Sequence, residues 1–199
     1  RRTASDLKSM IALRRNTQNP PVVMPVSTVD DKGVPELVAW LADRTVRGLR
    51  HADGGIRKAR DLVERCLAND NFGQAMGMEL LHASPGHVTL RMPVTRTQIN
   101  FNGRCHGGAI FALADMALGL ACNSHGMLAT LIDSQMSIST ALEEGEHLVA
   151  DAIEVARSRK IGTYQVRLTR ARDDKHVAML NGTVYVLNQP VDVPELPAS

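Results

Sequence analysis

Between His106 and His125 the only formal charge is Asp115, set in a stretch of Ala, Ile, Phe, Leu, Met, Gly and Cys. A carboxylate in such a segment is costly to bury unless something pairs with it, and Asp is a poor helix former. It is either a polar contact to a neighbouring element or a group kept for chemistry. Just upstream stands Cys105-His106-Gly107-Gly108. Two glycines at a helix start let another molecule approach backbone N–H groups that have no partner within the helix. Those donors, with the helix dipole behind them, favour negative charge. A carbonyl whose oxygen turns into an oxyanion needs such a place. The plainer reading of His-Gly-Gly is a tight turn with His106 as the cap.

Gly107 and Asp115 are eight residues apart, which is about 12 Å along a helix. An Asp side chain cannot reach across that distance to a carbonyl docked at its own helix start. If both residues are catalytic, two copies of the helix lying side by side and antiparallel bring Asp115 of one against Gly107 of the other. The pair then implies a homodimer with shared active sites, and a twofold axis supplies two of them.

The elements around this segment follow from periodicity. Residues 1–55 form a basic N-terminal extension. Asn19-Pro20-Pro21 and Pro25 break any helix there, although Asp6–Arg15 is long enough for a short one. Pro35–Leu49 carries Leu37, Val38, Leu41, Val46 and Leu49 at helical spacing, and Gly54-Gly55 is expected to end that helix. A second helix is predicted over Ile56–Ala68, with Ala59, Leu62, Val63, Cys66 and Leu67 as its apolar stripe. The main domain, 56–187, starts there. From Met76 the period becomes two: Glu79–Ala83, a Ser84-Pro85-Gly86 turn, then Val88–Pro93. A polar loop, Thr95–Cys105, leads into a long helix over His106–Ser124. Four further strands are expected at Ala129–Ser139, His147–Val155, Thr163–Ala171 and His176–Leu187, with turns at Gly145, Gly162 and Asp173-Asp174. A Pro-rich tail, 188–199, is expected to be loose. The strands need their apolar face covered, and the long helix is apolar nearly all the way round. The predicted fold is α+β: an antiparallel sheet wrapped around one long central helix.

Composition narrows the functional classes. The 199 residues are 44% hydrophobic but only 3% aromatic, which leaves few rings for stacking single-stranded nucleic acid. Residues 1–60 hold 12 Lys and Arg against 6 Asp and Glu, and residues 61–199 hold 11 against 15. The basic charges are scattered rather than clustered, as in a solvated extension. Cys66, Cys105 and Cys122 are odd in number and show no zinc spacing, which fits a reducing, cytoplasmic setting. No apolar run is long enough to span a bilayer, and no signal-peptide core follows Arg1-Arg2-Thr3. No metal and no cofactor are expected. His125, His147 and His176 lack ligand spacing. Met76, Met78, Met92, Met116 and Met136 read as core or pocket lining. No nucleophile elbow of the GxSxG kind is present.

The stretch from Asn100 to Asp115, Asn-Phe-Asn-Gly-Arg-Cys-His-Gly-Gly-Ala-Ile-Phe-Ala-Leu-Ala-Asp, resembles the signature of hotdog-fold acyl-CoA thioesterases of the phenylacetate-pathway (PaaI) type. Ala121-Cys122-Asn123-Ser124-His125-Gly126 resembles the same group, and the similarity covers about 58–187. The resemblance implies hydrolysis of an acyl-CoA or aryl-CoA thioester by a dimer, often paired into a tetramer. It implies Asp115 as nucleophile or general base, the Gly107 N–H as oxyanion donor, and Asn100 and His106 as residues holding the thioester and the helix start. Gly108 and Thr130 fall beside the substrate. The Arg157-Ser158-Arg159-Lys160 turn falls where relatives often bind the nucleotide end of CoA, and its cations suit phosphates.

This chain also departs from the pattern. Leu131 stands where many relatives carry a hydroxyl, with Thr130 and Ser134 near it. The following strand ends in Glu143-Glu144 without the usual Pro. The alternative reading is a non-catalytic acyl-CoA-binding hotdog regulator with the basic extension as its output. The extension lacks a clear helix-turn-helix. A hotdog hydratase ranks lower, because it needs a differently presented acid or His pair.

Overall fold

The computed structural model describes residues 53–195, together with Ala39. The expectations for Asp6–Arg15, for the helix over Pro35–Leu49 and for the basic extension lie outside the described residues. Helix α1 spans 53–68, so Gly54 and Gly55 lie inside a helix instead of ending one. A Cβ at either would meet nothing within 4 Å. Ala59, Leu62, Val63 and Leu67 are buried along one stripe, while Arg60 and Glu64 pair on the open face at 2.8 Å. A short helix, α2 (Asn71–Ala75), follows. It is too short for periodicity to reveal, and Asp70 caps it by accepting from the Gly73 N–H at 2.6 Å.

Six antiparallel strands form one sheet: β1 (Glu79–Ser84), β2 (His87–Pro93), β3 (Met127–Ile138), β4 (His147–Arg157), β5 (Ile161–Arg170) and β6 (Lys175–Pro190). Their order is β1-β2-β4-β5-β6-β3. The long helix, α3 (Gly107–Asn123), lies between β2 and β3 in the chain and packs across one face of the sheet. Alternate residues of the strands point at it. Val88, Leu90 and Met92 of β2, Leu148, Ala150 and Ala152 of β4, Val166 and Leu168 of β5, and Ala178, Leu180 and Val184 of β6 are all fully buried. This is the hotdog fold, α+β, with one helix and one antiparallel sheet sharing a single core.

The strands run past some expected limits. β6 continues to Pro190, where it pairs with Met127, and Val191 N–H then donates to Gly126 O at 3.0 Å. Residues 191–195 are tied to α1 and the turn after it, through Arg65 to Glu195 at 2.9 Å and Asn69 to the Pro194 carbonyl at 3.4 Å. Gly162 is not in a turn. It sits buried inside β5, where a Cβ would meet the Tyr164 ring at 3.0 Å and Val184 at 3.1 Å. The β4–β5 turn is closed instead by Ser158, whose N–H donates to Ile161 O at 2.8 Å and whose hydroxyl accepts from the Ile161 N–H at 3.0 Å. Among the described residues, no helix is long and apolar enough to cross a membrane, and no three His, Cys, Asp or Glu side chains converge as a metal site.

Close approach of α3 to the sheet depends on small residues facing it. A Cβ on Gly182 of β6 would lie 2.6 Å from Leu118 of α3 and 2.9 Å from Leu131 of β3. Overpacking of this kind costs roughly 1–3 kcal/mol. Gly182→Val should therefore lower stability by that order in chemical denaturation, with a matching fall in Tm.

Candidate active site

The start of α3 is fixed from several sides. Cys105 N–H donates to Leu142 O at 2.9 Å and His106 N–H to Gln98 O at 2.7 Å. His106 has extended backbone, φ −65° and ψ 133°, and is the N-cap: its Nδ1 accepts from the Gly108 N–H at 2.8 Å. The plainer reading of His106 as a cap is thus part of the structure. It places the ring proton of neutral His106 on Nε2, facing outward. It also engages the Gly108 N–H, while His106 O accepts from Ala109 and Ile110. Among the described residues nothing accepts from the Gly107 N–H, the first of the helix. One backbone donor is left free where the helix dipole favours developing negative charge.

Asn100 shapes the loop before the helix. Its Oδ1 accepts from the N–H of Asn102 at 2.9 Å and of Arg104 at 3.2 Å. Its own N–H donates to Arg104 O at 2.7 Å, and Gly103 takes φ +72° to close the turn. The Asn100 Nδ2 group has no acceptor among the described residues and remains available beside the helix start.

Asp115 is two turns further along the same unbroken helix. α3 is not buried all the way round: Gly108, Phe111 and Asp115 form an exposed stripe at spacings of three and four, flanked by half-buried Ala112, Met116, Gly119 and Asn123. Phe111, part of a helix expected to be apolar nearly all the way round, is 36% exposed. The apolar helix around Asp115 partly desolvates its carboxyl and raises its pKa above the ordinary Asp value, and no nearby cation offsets this.

The remaining expected site residues do not converge on this stripe within one chain. Thr130 pairs with Tyr185 on the sheet face away from α3, while Leu131 faces the core side. A β-bulge between Leu131 and Asp133 then turns Ser134, not Asp133, toward the helix side opposite Gly182. Arg157, Arg159 and Lys160 lie at the β4–β5 turn. Lys160 Nζ sits 5.2 Å from the centre of the Tyr185 ring. Arg157 is 3.7 Å from Glu154, and its Nη1 is buried without a hydrogen-bond partner.

Glu154 is the hub of a cluster that sequence reading missed. It accepts from Tyr164 Oη at 2.5 Å and pairs with His125 Nε2 at 2.8 Å. Burial alone would raise the Glu154 pKa. The bonds from Tyr164 and His125, with the charges of His125 and Arg157, outweigh it and hold the carboxyl below its usual range. Burial and the bond to Glu154 push Tyr164 the other way. Only the register Glu154↔Tyr164 brings these groups together, and no linear spacing announces it. Burial drives the Cys105 and Cys122 thiols up to about 11 and about 12, which removes them as nucleophiles.

Residues 102–176 match the model of the thioesterase superfamily. A protein of Archaeoglobus fulgidus whose given name proposes an esterase is 37% identical over 136 residues, covering 66% of this chain and 88% of that one. The acyl-coenzyme A thioesterase PaaI of Escherichia coli is 30% identical over 125 residues, covering 63% and 89%. The chain belongs to the hotdog thioesterase superfamily, in its PaaI type. The structure of the E. coli PaaI protein, from a phenylacetic acid degradation operon, superposes with a TM-score of 0.68 over 69% of this chain and 99% of that one at 26% identity. A Streptococcus mutans protein solved with acetyl-CoA superposes with a TM-score of 0.55 over 57% and 91%, at 26% identity. Membership of this superfamily makes the chain a thioester hydrolase.

The raised pKa of Asp115 has a consequence for stability. A carboxyl that holds its proton more tightly when folded destabilises the folded state as pH rises through that pKa, and the cost is complete above it. At pH 7 Asp115→Asn removes the cost. The variant should melt at the wild-type temperature or above it, and that gain should vanish as the pH falls to about 4, the ordinary Asp pKa. A lower Tm at pH 7 would contradict the assignment.

Proposed function

We propose that the chain hydrolyses the thioester of an acyl-CoA or aryl-CoA, at two sites each built from Gly107 of one protomer and Asp115 of its partner. The observation that carries this reading is the open stripe of α3 itself, where an unpaired N–H and a desolvated carboxylate share one helix face yet stand about 12 Å apart. A second copy of the stripe, antiparallel to the first, closes that distance and covers Phe111. The free edge of β3 supports the same arrangement. It is 12 residues long and displays Ile132, 57% exposed. The opposite edge, β1, is short, bulged after Leu80 and tied down by the Glu79–Arg91 ion pair.

In this site the thioester carbonyl oxygen accepts from the Gly107 N–H. Asp115 of the partner subunit either takes a proton from water as the water oxygen attacks the carbonyl carbon, or attacks directly to give a mixed anhydride that water then opens. In both routes the C–S bond breaks and CoA leaves as a thiolate, a good leaving group that needs no strong acid. Asn100 and His106 hold the helix start in place. The nucleotide end of CoA runs toward Arg157, Arg159 and Lys160. The name of the E. coli relative and the acetyl-CoA held by the S. mutans protein support a CoA ester as substrate. Three free cysteines fit action in the cytoplasm.

Asp115→Asn should abolish release of free thiol from acyl-CoA, and full activity in that variant would sink the mechanism. Because Asp115 must be ionised, the acid limb of the wild-type profile should fall above the ordinary Asp pKa of about 3.9. Gly107→Pro tests the other half. Gly107 is the first residue of α3, where Pro is tolerated and removes only the N–H. It should lower kcat by about 10²–10³ while leaving the fold intact. Mixing the two inactive variants and letting subunits exchange should restore one intact site per mixed dimer. A mixture that stays dead would place both residues in the same chain's site.

A further inference from the structure

Phe101 is 97% exposed, on a chain with three Phe in all. It is not on a slack loop. Asn100 Oδ1 accepts two backbone N–H groups across the turn, Asn100 and Arg104 exchange a backbone bond, Ile99 bridges Cys105, and Arg104 pairs with Glu143. The turn holds an apolar ring out in water, one residue from Asn100 and six from Gly107. A wall of an acyl pocket would be recessed among other apolar groups. Phe101 is 97% exposed, and the residues beside it in the turn, Asn100, Asn102, Gly103 and Arg104, are all non-apolar. A ring with free faces and amide groups beside it suits a flat, polar-edged ring laid upon it, as in base stacking.

The second observation is the position of the cations. Resting on the dimer proposed above, an antiparallel pair that sets Gly107 against the partner's Asp115 sets the Asn100–Arg104 loop against the C-terminal half of the partner's α3. Just beyond that half stands the partner's His125, joined through Glu154 to Arg157. The Phe101 ring and the partner's Arg157, whose Nη1 has no hydrogen-bond partner within its own chain, then flank the same stretch of the paired helices.

We propose that Phe101 is a specificity residue that stacks on the adenine ring of CoA, with the partner's Arg157–Lys160 turn taking the phosphates. The test compares kcat/KM for one acyl group carried on CoA and on pantetheine, which lacks the nucleotide. Stacking one base is worth roughly tenfold in affinity. Phe101→Ala should cut the preference for the CoA ester about tenfold, through KM, and Phe101→Trp should restore it. An unchanged preference in Phe101→Ala would overturn the proposal. So would an equal loss on both esters, which would make Phe101 an acyl-side or structural residue. If the wild-type protein hydrolyses neither ester, the failure lies with the proposed reaction and takes this inference with it.

Discussion

A rigid α-helix holds its residues at fixed separations, and in α3 that holds Gly107 and Asp115 about 12 Å apart. Nothing inside the chain can relax this, because α3 is one uninterrupted helix with Leu113, Ala114, Ala117, Leu118 and Ala121 locked in the core. The remaining architecture can be understood as arranged around that constraint. The sheet covers most of α3 and leaves one stripe bare. The stripe contains the acid, the outlying Phe111 and Gly108, which has no side chain to block approach. β3, which follows α3 directly, lies at the sheet edge. An open helix face and an open strand edge are thus offered together by neighbouring segments of the chain.

The same helix start shows how backbone groups are divided between structure and chemistry. His106 is engaged in capping, so the Gly108 N–H is satisfied within the chain. The Gly107 N–H is left over, and it is the donor nearest the helix axis end, where the dipole acts most strongly. Its role does not require glycine's conformational freedom. A Cβ there would meet only Ile138, at 3.4 Å. At Gly108 a Cβ would press on His106 Nδ1 at 2.9 Å and disturb the cap. The two glycines therefore serve different ends, one keeping the approach to a donor open and the other keeping the cap in place.

Much of the fold was legible in the residues because the two periods, 3.6 and 2, are clean here. The stripe of Ala59, Leu62, Val63 and Leu67 and the alternation of Val88, Leu90 and Met92 name their elements directly. Local turn chemistry misled where glycine served packing instead. Gly162 looked like a turn and is a close contact with Tyr164 and Val184; Gly54-Gly55 looked like a stop and lies within helical residues. In the site, Asp115 and His106-Gly107-Gly108 stood out because each is chemically odd within its own segment. The Glu154, Tyr164 and His125 cluster did not, since it exists only through strand register and a contact with the end of α3. Thr130 lies on the face away from α3 for a related reason. A period of two fixes which residues share a face, but the bulge after Leu131 decides which later hydroxyl, Ser134, turns inward.

The exposure of Asp115 and its raised pKa are consistent with one another. In the lone chain its carboxylate has water on one side and the apolar wall of α3 on the other, and that wall already favours the protonated form. A general base works best when its pKa approaches the working pH, because the driving force for taking a proton rises with basicity. In the proposed dimer, covering the stripe with a second apolar helix would remove more water and raise that basicity further. The opposing effect in that proposed dimer would come from the helix start set against it, whose partial positive charge stabilises an anion. Among the described residues of the chain the acid sits mid-helix with no Arg or Lys beside it, so desolvation is the effect that sets the direction of its shift. A full cation there would pull the carboxyl down and blunt it as a base, while also competing with the Gly107 N–H for the developing oxyanion.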